Sequence, residues 1–410
     1  MDKATLRVND DRLWSRLMEM AKIGATTAGG SNRQALSDDD AAGRALFCSW
    51  AEAAGCSLQT DSVGNLFARR PGRDDDSAPL VMGSHLDTQP TGGRFDGVYG
   101  VLGGLEVVET LNDHSIETAA PVEVAVWANE EGSRFPRSMM GSGVWGAVMD
   151  LDEVRALTDE SGISVGQELD RLGWVGPLAL TRPFGHYLEL HIEQGPILEA
   201  DNTEVGIVTG VQGLRWYTIE ITGFPAHAGP TPMDGRRDPA RALAKILSEI
   251  YDMAAKNAPW ARATPAQFHS EPTSPNTVPS VIRFSLDLRH PDAEVLEAME
   301  QAMRQIVRKA SAEHDCEESI AVDNDSPPIV FDESCIDAVE TAAGAAGFNH
   351  QRIVSGAGHD ACYVAAHAPT SMIFIPCKDG LSHNEAESIE PDQATRGANV
   401  LLGAALKLLS

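Results

Sequence analysis

Three short apolar runs constrain this chain more than any other feature: PLVMG at 79–83, VEVAVW at 122–127 and YLELHI at 187–192. Each is too short for a buried helix and largely apolar on both faces, the pattern of strands covered on both sides of a sheet. A helical stretch from about 98 to 111 separates the first two, which gives the β–α–β rhythm of a largely parallel sheet. Upstream, Leu13, Leu17, Met20 and Ala21 recur at helical spacing over 10–24, and Ser37 with Asp40 reads as an N-cap opening a helix to about 55. The expected fold class is α/β: a largely parallel mixed sheet flanked by helices.

Near residue 213 the pattern changes. LRWYTIEITG and VIRFSLDLRH alternate as strands, while RDPARALAKILSEIYDMAAK and AEVLEAMEQAMRQIVRKASAEH read as amphipathic helices. This β–α–β–α set predicts a smaller α+β open sandwich over 213–328, inserted between 1–212 and 329–410, with Pro327-Pro328 as the point of re-entry. Trp127, Trp145 and Trp216 are expected in the core.

Net charge narrows the function classes. With 32 Lys+Arg against 60 Asp+Glu the chain carries −28, so no nucleic-acid partner is expected, because phosphate binding needs a basic surface. No apolar run approaches about 18 residues, so no membrane span is expected. MDKATLRVNDDRLW lacks the apolar centre of a secretory signal. Six scattered cysteines read as reduced thiols, and the expected location is cytoplasmic.

Polar, chemically suggestive residues come directly after each apolar run. His85 and Asp87 come after the first, and Asp96 lies in the Gly-rich loop before the helix. Glu130 and Glu131 come just after the second, where two adjacent carboxylates call for a compensating cation; a metal held by one leaves the other as a general base. His191 and Gln194 lie at the end of the third, with alternation putting Gln194 opposite His191 unless the strand has already ended. His383 sits in a later small-residue loop. Asp87 is suited to orient His85. Each alone has a bland alternative, a capped strand or an acidic turn. Together, His85, Asp96, Glu131, His191 and His383 offer two histidine-bearing half-sites sharing a carboxylate, which suits two metal ions about 3.5–4 Å apart.

GSHLDTQPTGGRFDG, NEEGSRF, HIEQGP, PAHAGPTPMDGRRDPA, PNTVPS, DLRHPD, GAGHDA and GLSHNEAE, in that order, resemble the M20 metallopeptidase superfamily. They are most similar to its amidase branch of N-carbamoyl-L-amino-acid hydrolases, β-ureidopropionases and allantoate amidohydrolases. The resemblance implies that Asp96 bridges two divalent metals, with His85 and His191 completing one site and Glu131 and His383 the other. Zinc leads, and manganese, cobalt and nickel suit the same ligands. It implies Glu130 as general base, and 213–328 as a lid and dimerisation domain of a homodimer. From that domain His227 would polarise the scissile carbonyl across the dimer, while Asn276 and Arg289 hold the carboxylate of a small-molecule substrate. Gln194 would contact the ureido group and Gly358 line the pocket.

The implied reaction is hydrolysis of an N-carbamoyl amino acid to the amino acid, carbon dioxide and ammonia. Gln89-Pro90 leans toward the carbamoylase and β-ureidopropionase side. Allantoate hydrolysis is the nearest rival, a broader aminoacylase or peptidase comes next, and a metal-depleted carboxylate-binding protein is the remote one. Pro230 after the HAG motif and the basic Arg134–Arg137 stretch (RFPR) depart from the usual pattern and bear on substrate identity rather than reaction class.

Overall fold

The computed structural model, which describes residues 6–410, lays the three apolar runs side by side as strands Val122–Trp127, Leu80–His85 and His186–Ile192. Every residue of the three is buried except His186 at the rim. They pair in parallel, and Thr370–Ile375 extends the parallel centre beyond His186–Ile192. Nine strands result: antiparallel Leu66–Arg70 and then Ser57–Thr60 follow on one side, and antiparallel Val205–Val211 on the other, with His350–Ser355 and Ile329–Val330 beside it. The sheet is therefore mixed with a parallel core, as expected. His85 ends its strand rather than following it.

Chain order explains where a site can form. From Leu80–His85 the chain crosses to Val122–Trp127 through the helix Val98–Asp113, whereas His186–Ile192 lies on the opposite side of Leu80–His85. The order thus reverses at Leu80–His85, and open α/β sheets bind ligands at the carboxyl ends of strands at such a reversal. The ladder between Leu80–His85 and His186–Ile192 runs only as far as Met82 and Leu188. Beyond that register the helix crowds the gap, and a Cβ on Gly100 would overlap the Leu190 carbonyl. Helix starts follow the sequence: Asn9 accepts from Arg12 N ahead of Asp10–Met20, and Ser37 from Asp40 N ahead of Asp38–Ala53.

By contact density the chain forms two units, residues up to Thr209 with Val330–Ser410, and Gly210–Ile329. The second is a four-stranded antiparallel sheet in the order Glu317–Ser326, Gly213–Thr222, Val281–His290, Arg262–Glu271, with helices Pro239–Lys256 and Ala293–Glu313. Tyr217, Ile219, Ile221, Phe284, Leu286 and Leu288 pack against Ile246, Ile250, Met299 and Met303. The β–α–β–α expectation missed the two outer strands. Both are edge strands with mostly exposed side chains, so they carry no apolar alternation to read. Trp216 is a second correction: Tyr217 faces the helices, so alternation turns Trp216 outward, where it is 45% exposed, while Trp127 and Trp145 are buried. No helix among the described residues is long and apolar enough to cross a membrane.

Candidate active site

Two histidines at neighbouring strand ends begin the site. His85 Nδ1–H donates to the Asp87 carbonyl (2.8 Å) and His191 Nδ1–H to the Ile192 carbonyl (2.9 Å). Tying down Nδ1 directs Nε2 of each ring inward, the orientation in which histidine ligates metals. Both face Asp96 Oδ1, at 3.9 Å for His85 and 3.1 Å for His191. The loop carrying Asp96 can come this close because residue 97 is glycine: its φ is +68°, and a Cβ there would overlap the His85 ring.

The other oxygen of Asp96 faces a second set. Asp96 Oδ2 lies 3.5 Å from His383 Nε2, and His383 Nε2 lies 3.2 Å from Glu131 Oε2. Gln89 grips Glu131, its Nε2 donating to Oε2 (2.7 Å) and its backbone N to Oε1 (3.2 Å). The groups His85–Asp96–His191 and Asp96–Glu131–His383 each bring three ligand atoms within 4.8 Å of one another, so all five expected ligands converge with Asp96 common to both. Glu130 stands beside them, its Oε2 3.5 Å from His85 Nε2.

Asp87 and Gln194 lie close to the cluster. Asp87 meets the His85 ring through its backbone carbonyl, while its carboxylate accepts from the backbone N of Glu130 (3.3 Å) and Glu131 (3.2 Å), and so shapes the acidic turn. The third strand ends at Ile192, so alternation does not govern the residues after it. Glu193 turns away to cap Ile197 N and Leu198 N, while Gln194, at φ +57°, swings its amide onto Asp96 Oδ2 (3.0 Å).

Burial opposes every charge here, and the neighbours decide which groups keep theirs. Burial pushes Asp96 up, but the His191 hydrogen bond and the charges of His191, His85 and His383 more than offset it and hold the carboxyl below its usual range. Burial lowers His191, yet Asp96 outweighs it and the ring rises to about 9. His383 also rises to about 9, chiefly through its hydrogen bond to Glu131. Glu130 moves the other way: burial, then Asp360, Glu131, Asp87 and Asp96, raise it well above the carboxylate range. Asp87 is raised to about 6, mainly by burial.

A divalent cation fits this donor set. The ion-pair partners within 4 Å of Asp87, Asp96, Glu130 and Glu131 are histidines in each case, so among the described residues no Lys or Arg pairs with this buried acidity. Imidazole and carboxylate together suit zinc and its first-row neighbours.

The remaining expected residues divide by unit. Gly358 lies in the first; a Cβ there would meet Met139 Cε at 3.2 Å. His227, Asn276 and Arg289 belong to Gly210–Ile329. His227 and Asn276 are exposed neighbours, since Ala228 N donates to the Asn276 carbonyl (2.8 Å) and His227 pairs with Thr277. Arg289 lies on a different strand, its guanidinium 2.8 Å from Asp287 Oδ2.

Several site residues were missed from sequence. The His359 ring centroid lies 4.6 Å from that of His191, and Glu189 accepts from Ser84 Oγ (2.7 Å) and Ala361 N (3.0 Å) beneath the same histidine. Ser382 Oγ donates to Asp96 Oδ2 (2.8 Å), and Glu387 reaches the Asp96 loop. Signals existed: Glu189 shares a strand face with His191, and the other three lie inside GAGHDA and GLSHNEAE.

The sequence matches the profile of Peptidase family M20/M25/M40 over residues 81–407. It is similar to an N-carbamoyl-L-amino-acid amidohydrolase of Rhizobium meliloti, 48% identical over 407 residues that cover 98% of this chain and 97% of that protein. It is also similar to an allantoate amidohydrolase of Bacillus subtilis, 31% identical over 411 residues and the full length of both. A solved amidase of the hydantoinase/carbamoylase family from Burkholderia multivorans superposes with a TM-score of 0.95 at 49% identity, covering 98% of each chain. With its fold, its motifs and its full-length relatives in agreement, this chain belongs to Peptidase family M20/M25/M40 and is a hydrolase.

Proposed function

We propose that the protein hydrolyses the carbamoyl C–N bond of an N-carbamoyl amino acid, releasing the amino acid, carbon dioxide and ammonia. Two divalent cations, zinc first among the candidates, would be held by His85 and His191 and by Glu131 and His383, with Asp96 between them. The observation that carries this reading is Asp96, whose two oxygens face two separate histidine-bearing donor sets. A ureido carbonyl is a poor electrophile because two nitrogens donate into it; bound cations polarise that carbonyl and acidify the attacking water. Glu130 Oε2, beside the cluster at 3.5 Å from His85 Nε2 and outside both donor sets, takes the water's proton and returns it to the leaving nitrogen. Gln194 Oε1 is buried without a hydrogen-bond partner, which supports its use as an acceptor for the ureido N–H groups.

Asn276 and Arg289 are our candidates for the substrate carboxylate, since a guanidinium fork engages both oxygens. His227 would polarise the carbonyl from the partner subunit of a homodimer, with Gly210–Ile329 serving as lid and dimer contact. Free thiols at all six cysteines support a reducing compartment, the cytoplasm. Identity of 48% with the carbamoylase against 31% with the allantoate enzyme favours a carbamoyl substrate. The test is ammonia release across N-carbamoyl-L-amino acids, N-carbamoyl-β-alanine and allantoate. We expect turnover of a carbamoyl amino acid that chelator abolishes and added metal restores. Turnover of allantoate alone, or release of an acid without ammonia from N-acyl substrates, would overturn the substrate assignment.

A further inference from the structure

Glu387 is a buried carboxylate outside both donor sets, yet it joins the loops that carry them. Its Oε1 accepts from the backbone N of Phe95 (2.8 Å) and of Asp96 (3.2 Å), across nearly 300 residues of chain. On its own side it is one turn past His383, in a loop closed by Lys378 N to the Ser388 carbonyl (2.9 Å) and Glu387 N to the Asn384 carbonyl (3.0 Å). The approach is tight: a Cβ on Gly93 would overlap the Glu387 carboxylate. Glu387 is 1% exposed, and its Oε2 has no hydrogen-bond partner. Burying a carboxyl with one oxygen unsatisfied costs stability, so stability alone does not account for it.

We propose that Glu387 is a positioning residue of the metal centre. It sets the bridging Asp96 at a fixed distance from His383, and so tunes the ion held by Asp96, Glu131 and His383; this rests on the two-ion reading of the site. Residues behind the ligands typically change metal affinity by about 10–100-fold when removed. The experiment is titration of metal-stripped protein with cobalt(II), following the visible spectrum and the bound stoichiometry, alongside Tm of the stripped protein. We expect Glu387→Ala and Gly93→Ala each to weaken the ion held by Asp96, Glu131 and His383 about 10–100-fold, and the ion that shares Asp96 with it by less. Glu387→Gln, whose amide oxygen still accepts both N–H groups, should bind like the wild type. Should Glu387→Ala fail to fold, Gly93→Ala and Glu387→Gln decide the matter. Unchanged affinities in both disrupting variants overturn the proposal, as does a fall in Tm with no change in affinity, or loss of the ion in Glu387→Gln. A wild type that takes up fewer than two ions contradicts the two-ion reading instead.

Discussion

Glu130→Gln lowers kcat about 10²–10⁴-fold while bound metal and Tm stay at wild-type values. The magnitude is what a positioned general base supplies, and the separation of effects comes from the geometry. Glu130 lies beside the cluster, 3.5 Å from His85 Nε2, but belongs to neither three-residue donor group. Burial and four neighbouring acids oppose its charge, so a neutral amide of the same size fits its place in the fold. Removing the ionisable group therefore takes away proton transfer and little else. The check is steady-state kinetics with metal content and thermal melting on the same preparation. Unchanged turnover would remove Glu130 from the base role, and lost metal would make it a ligand.

Affinity for manganese(II) rises about tenfold per pH unit for each ion, roughly 10³-fold between pH 6 and pH 9, and then levels off. The sign comes from the two raised histidines. Asp96 holds His191, and Glu131 holds His383, protonated up to about pH 9 in the ion-free protein. A cation needs the Nε2 lone pair, so each ring must first lose its proton. That loss opposes binding below pH 9 and no longer opposes it above. One such histidine sits in each donor group, so each ion displaces about one proton at neutral pH. Chelator competition from pH 6 to pH 9.5, corrected for the chelator's own protonation, measures the slope. An affinity that is flat between pH 6 and pH 8 would mean that these histidines are not the ligands.

How much was legible from sequence depended on whether a residue's neighbours were local. VEVAVW and YLELHI announced buried strands because strands covered on both faces need continuous apolar sequence, and Ser37 announced a helix because its partner is three residues away. The edge strands Arg262–Glu271 and Glu317–Ser326 stayed hidden because a half-exposed edge imposes no such pattern. The candidate ligands stood out through their motifs, but convergence of His85, Asp96, Glu131, His191 and His383 needed the sheet order. Asp87 was placed beside His85, but which of its atoms meets the ring was not legible, since backbone carbonyl and carboxylate share one residue. Glu387 lies inside the GLSHNEAE motif, but its role stayed hidden because its partners are the backbone of a loop 291 and 292 residues away.

The most direct measurement is an anomalous-difference map from crystals of the protein loaded with zinc or manganese. Two peaks are expected on either side of Asp96, one within bonding distance of His85 and His191 and the other of Glu131 and His383. A single peak at full loading, or peaks away from Asp96, would contradict the two-cation centre on which the proposed hydrolysis rests.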